Sequence, residues 1–239
     1  MIDIHLTKLR ARDEISAEEE QAIRSAVSEY RDYPADHVFI RPNQLLEHST
    51  LLLDGLLCRY KDLKGGRRQI TELHVAGDFA DLHSFTLKRL DHVMMTLTPC
   101  RVAMVPHENL KAITREHPHL TRVYWFTTNL DAAIHREWEL SLGRRSALSR
   151  MAHLFCELHV RLSLVGLADG DSYTLGLTQD ELAECLGISP VHANRTLQEL
   201  RNRRLLEFRD GRVSLLDPAA VKSVAEFDPS YLYLDPRPR

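Results

Sequence analysis

"LTQDELAECLGISPVHANRTLQELRNRRLLEF" (residues 177–208) carries two short apolar periodicities separated by a glycine. Leu182 and Leu186, four apart, share one helical face, and Ala183 is small where a second helix must cross closely. Gly187 supplies the turn. Ser189 then caps a new helix whose first residue is Pro190, a position where the missing N–H costs nothing. Leu197 and Leu200 turn that helix inward, which leaves Val191, His192, Asn194 and Arg195 facing out at its N-terminal end. The stretch predicts a helix-turn-helix.

A corner between helices of an all-α core would place apolar side chains on both faces. Here the outward face carries residues that read base edges. Arg195 can donate two hydrogen bonds to guanine, Asn194 can pair with adenine, and Val191 can touch a thymine methyl. Thr178, Gln179 and Ser189 stand at the two helix starts, where hydroxyls, amides and free backbone N–H groups meet phosphates, with His192 close by. Six arginines (195, 201, 203, 204, 209, 212) face only Glu199, Glu207 and Asp210 between His192 and Arg212, and phosphate contacts dominate DNA affinity. "LLEFRDGRVSLLD" reads as two strands about Asp210-Gly211, a wing beside the helices.

Upstream, the pattern changes twice. Ser16 and Glu19 make a capping box that starts a helix with Ala22, Ile23, Ala26 and Val27 as its stripe. From about 37 to 105 the chain breaks into short strands with turns at Asp54-Gly55, Gly65-Gly66 and Thr98-Pro99, the texture of an antiparallel barrel or roll. Helix returns at His107. A long helix then starts at Pro118, with Leu120, Val123, Thr127, Leu130 and Ile134 spaced by threes and fours as in a dimer seam. Gly143 is expected to interrupt it as a hinge, followed by a further helix from Ala147 that ends at Gly166. The expected domains are 1–142, a β-roll sensor with a dimerisation helix at about 118–141, and 143–239, a winged helix-turn-helix. The fold class is α+β: an antiparallel β-roll of the cupin-like jelly-roll kind with flanking helices, the long helix, and the winged module.

Other classes are excluded. No apolar run approaches the roughly 20 residues that span a bilayer. "MIDIHLTKLRARDEISAEEE" has neither a signal-peptide core nor a cleavage site, so a cytoplasmic protein without membrane contact is expected. Cys58, Cys100, Cys156 and Cys185 are far apart and read as buried thiols, and the histidines show no metal-ligand spacing, so no metal site is expected. No nucleophile–base pair, carboxylate dyad or phosphate loop supports an enzyme.

Over nearly its full length the chain resembles the Crp/Fnr family of bacterial transcription regulators. The carrying stretches are residues 177–208, "GDFADLHSF" and "CRVAMVPHENL". The resemblance implies a homodimer through the long helix, a palindromic double-stranded DNA operator, and contact with RNA polymerase. It puts base contacts on Pro190, Val191, Asn194 and Arg195, and phosphate contacts on Ser189, Thr178 and Gln179.

The departures narrow the reading. The family usually has an acidic residue at the position of Val191, pairing with the arginine matched by Arg195. Members that bind cyclic nucleotides hold the cyclic phosphate with Arg-Ser or Arg-Thr, where this chain has Leu90-Asp91, although Arg89 is adjacent and Gly77-Asp78 keeps the preceding Gly-acid pair. A carboxylate there repels a phosphate. His83 falls where a haem-sensing relative has an axial histidine, with Asp81 in place of that relative's cysteine. The N-terminal cysteines of iron–sulfur members are missing. The candidate effector pocket is therefore Gly77, Asp78, His83, Arg89 and Asp91, and neither haem nor cyclic nucleotide has its key residues as a cofactor. The alternative is an effector-binding sensor whose helix-turn-helix makes protein contacts.

Overall fold

A computed structural model describes residues 1–239. It divides into two units. The first comprises Met1–Arg59, Leu73–Ala133 and Tyr233–Arg239, and the second Tyr60–Glu72 and Ile134–Leu232.

The first unit is built on two antiparallel layers. One is a three-stranded sheet ordered β1 (Glu29–Tyr33), β7 (Cys100–Pro106), β3 (His48–Asp54). The other is ordered β2 (Val38–Ile40), β6 (Val93–Thr96), β4 (Leu56–Asp62), β5 (Arg68–Val75), of which the hairpin Tyr60–Glu72 counts with the second unit. The two-residue period of β3 and β7 explains the layering. Leu52, Val102 and Met104 point into one apolar cluster with Leu57, Leu90 and Met94. Leu51, Ala103 and Val105 point the other way, into a second cluster with the helices. Those helices are α1 (Asp3–Arg10), α2 (Ala17–Ala26), α4 (His107–Glu116) and the first part of α5 (Pro118–Arg144); α3 (Ser84–Leu87) is a single turn. The turn between β3 and β4 requires glycine: Gly55 has φ +89°, and a Cβ there would lie 2.4 Å from the Pro99 carbonyl oxygen.

The capping box forms as the sequence predicts. Ser16 Oγ accepts from Glu19 N at 3.2 Å, and Glu19 returns the bond to Ser16 N at 2.9 Å. The box is preceded by an element the sequence does not signal, and two expectations change. Helix α1 precedes it, with Ile2, Leu6 and Leu9 buried and no side-chain cap at its start. Gly143 does not break α5, which runs on to Arg144; the break comes at Ser146, whose hydroxyl caps α6 (Ala147–Leu164) by accepting from Ser149 N at 3.2 Å. The expected dimer seam also lies inside its own protomer, because Leu120, Val123, Leu130 and Ile134 are all buried within the chain. Apolar threes and fours mark a buried face, and Leu120 and Val123 bury theirs in the cluster with α1, α2 and α4.

In the second unit, α6 supports α7 (Gln179–Leu186), α8 (Pro190–Asn202) and α9 (Pro218–Ala225). Its sheet is ordered β10 (Leu206–Arg209), β11 (Arg212–Leu215), β9 (Ser172–Thr174), β8 (Ala168–Asp169). A buried polar knot ties α5 and α6 together. Glu157, fully buried, accepts from Trp138 Nε1 at 3.2 Å, Arg161 Nη1 at 3.0 Å and Tyr231 OH at 2.8 Å.

Candidate nucleic-acid interface

Helix α7 begins on Thr178, whose side chain accepts from Glu181 N at 3.2 Å, while Glu181 Oε2 accepts from Thr178 N at 2.6 Å and from the Thr178 hydroxyl at 2.8 Å. It ends at Gly187, in the left-handed region at φ +63°. Its last carbonyls, which no helical N–H can satisfy, accept from side chains: Gln69 Nε2 donates to Glu184 O at 2.7 Å, and the Arg150 guanidinium donates to Leu186 O. Ser189 then caps α8, accepting from His192 N at 3.2 Å, with Pro190 in the first turn.

This geometry sorts the side chains of α8 into two faces. Ala193, Thr196, Leu197 and Leu200 are buried. Pro190, Val191, His192 and Arg195 are exposed, Val191 at 68%, far above what an apolar side chain keeps when it has a packing partner in its own chain. Arg195 makes no hydrogen bond or ion pair within the chain. Asn194 is half-buried and donates one amide N–H to Gln179 Oε1 at 2.9 Å. Its second N–H and its carbonyl oxygen stay free, the pair that an adenine edge needs.

Not every arginine of the basic cluster is open. Arg203 pairs with Glu199, Arg201 donates to Phe208 O at 3.4 Å, and Arg212 lies 3.5 Å from Asp169. Arg195, Arg204 and Arg209 are exposed. The wing turn is tight, with Asp210 and Gly211 both at positive φ (+52° and +71°), so it projects as a two-residue hairpin.

The candidate effector residues do not converge on one cleft: Gly77 and Asp78 face α1, while His83 and Asp91 both meet His92. The carbonyl of Gly77 accepts from His5 Nδ1 at 2.8 Å. Asp78, 5% exposed, pairs with Lys8 of α1 and accepts from Val75 N at 3.1 Å. His83 is half-buried at the start of α3, its ring 5.6 Å from that of His92. Arg89 is exposed and donates to the Asn43 carbonyl, and Asp91 is exposed beside His92 Nδ1 at 3.2 Å. Leu90 is 2% exposed in the apolar cluster between the sheets. Asp81 is fully buried, accepts from Thr50 N, and has its pKa pushed up to about 7 by burial. Sequence reasoning missed Lys8 and His5, because the helix that carries them has no cap signal.

A roll of two antiparallel sheets, a long helix and a winged helix-turn-helix define a class of DNA-binding regulator. Two family models match the chain: the cyclic nucleotide-binding domain over residues 30–117, and the Crp-like helix-turn-helix domain over residues 149–224. The chain belongs to the Crp/Fnr family of DNA-binding transcription regulators, a family of regulators and not of enzymes. It is 29% identical over 180 residues to the nitrogen fixation regulation protein FixK of Bradyrhizobium diazoefficiens, covering 73% of this chain and 72% of that one. It is 28% identical over 203 residues to the transcriptional activator protein FnrL of Cereibacter sphaeroides, covering 82% and 77%. Among solved structures it is similar to FixK2 from Bradyrhizobium japonicum, with a TM-score of 0.74 at 21% identity over 83% of this chain and 97% of that chain. No helix is long and apolar enough to cross a membrane.

Proposed function

We propose that the protein binds a palindromic operator as a homodimer and acts there on RNA polymerase. The observation that carries this reading is the N-terminal end of α8, which presents Pro190, Val191, Asn194 and Arg195 outward from a buried scaffold. Arg195 reads guanine, Asn194 reads adenine, and Val191 takes a thymine methyl where relatives use a carboxylate. Thr178, Gln179, Ser189 and His192 contact phosphates from the two helix starts.

The dimer forms through the exposed stripe of α5. Arg122, Trp125, Asn129, Ala132, Arg136 and Leu140 follow one another at spacings of three and four, all exposed, with Trp125 at 68% and Leu140 at 47%. A tryptophan so exposed on a heptad-spaced face is what a helix pair buries. The β-roll lacks the standard contacts to a cyclic phosphate. The inward Leu90 and the solvent-facing Asp91 support that reading, as does Asp78, whose charge is spent on Lys8.

Selection from random duplex DNA tests it. The expected product is two inverted half-sites about one helical turn, ~34 Å, apart, with thymine at the base facing Val191. Guanine or cytosine there in both half-sites would overturn the Val191 assignment, and an unsymmetrical single site would overturn the dimer.

A further inference from the structure

After Leu232 the chain returns to the first unit, where residues Tyr233–Arg239 lie along α1 and α5. Backbone atoms hold the segment: Arg237 N donates to Arg12 O at 3.0 Å, and Arg239 N donates to Asp13 Oδ2 at 3.0 Å. The Arg239 side chain then enters a cleft between α1 and α5. Its guanidinium carbon sits 3.8 Å from the centre of the Phe126 ring, and Nη1 donates to Arg12 O at 3.1 Å. Tyr233 closes the far edge of the same ring, 6.0 Å away and perpendicular to it.

We propose that this cleft is a recognition site for a guanidinium, the group that arginine carries, and that the Arg239 side chain is its built-in occupant. Three features fit this chemistry. Phe126 gives the flat cation a π face, the contact by which proteins recognise guanidinium groups. Arg12 O is an acceptor for a guanidinium N–H, while Asp13 Oδ2 holds the segment's backbone nitrogen and so sets where the side chain enters. The charge of Lys8 does not oppose it, since Lys8 is paired with Asp78.

The cleft also holds an unmet polar group. His5 is 1% exposed and lines it; Nδ1 bonds to Gly77 O, while Nε2 has no hydrogen-bond partner. Burial lowers the His5 pKa to about 4, so near neutrality that nitrogen is a lone-pair acceptor waiting for an N–H donor. Beside Arg239 the cleft keeps only about 20 Å³ of water-accessible space, enough for one water. Free arginine therefore enters only when the Arg239 side chain leaves. The site is independent of the DNA-reading assignments above.

Calorimetric titration of the full-length chain with L-arginine tests this. Wild type is expected to bind at least about tenfold more weakly than R239A, because its own arginine competes as a tethered ligand at high effective concentration. R239A should bind one L-arginine saturably, R239A/F126L should not, and L-lysine should give no heat with either. Circular dichroism certifies folding; should R239A misfold, R239Q keeps the side-chain length and gives the same readout. Absence of L-arginine binding by the folded variant would overturn the proposal. So would equal binding of L-lysine, or equal affinity of wild type and variant.

Discussion

Arg195 and His119 show how a single side chain takes its role from its partners. Arg195 has none within the chain, so its guanidinium is available to a base. Arg195→Ala is expected to cost ~1–3 kcal/mol of operator affinity and to relax specificity at one base pair; equal weakening on every sequence, measured by gel shift across operator variants, would make it a phosphate contact. His119 is the opposite case, with Glu19 Oε1 at 2.7 Å and Asp13 Oδ2 at 3.2 Å. Desolvation pulls its pKa down, but the hydrogen bonds to Glu19 and Asp13 outweigh it, and the net shift is upward from 6.5. A group whose folded pKa is raised adds stability that is fully present below the unfolded value and lost as pH rises through the folded one. Melting curves of wild type and His119→Gln from pH 5.5 to 8.5 should therefore differ most at the acid end and converge at the alkaline end.

At the scale of elements, the winged unit depends on the knot around Glu157. Glu157→Ala takes the carboxylate from Arg161, itself charged and 5% exposed, and the acceptor from Trp138 and Tyr231. Removing one partner of a buried pair costs about 3–5 kcal/mol, measurable as a shift in denaturant midpoint. The knot could not be seen in the sequence, since its members are separated by 19 and 74 residues. Elements with local punctuation were legible: Ser16 with Glu19, Asp54-Gly55, Thr178, and Gly187 with Ser189-Pro190 all act where they stand. Elements without it were not. Strand β1, "EYRDY", is largely exposed and offers no apolar alternation, and α1 has no cap. The α5 periodicity was legible as buried but not as to what buries it, because a heptad of Leu, Val and Ile looks the same to a partner helix and to the chain's own sheet.

For the whole molecule, the open stripe of α5 decides assembly. Trp125→Glu should give a monomer in sedimentation velocity without changing the circular dichroism spectrum. Operator affinity should fall by about 10²-fold or more, because the two half-sites no longer share one binding event. The start of α7 bears on that affinity but not on its salt dependence. Glu181 already satisfies the N–H and hydroxyl of Thr178, so a DNA phosphate arriving there replaces a carboxylate the protein carries itself. The slope of log K against log salt counts the cations that DNA sheds when a Lys or Arg neutralises a phosphate, and Thr178 brings no cation, so this contact adds nothing to that slope. Glu181→Gln removes the carboxylate that an arriving phosphate has to displace, without adding a cation. The expected result is tighter operator binding at an unchanged salt slope and consensus sequence, read from binding isotherms across a salt series.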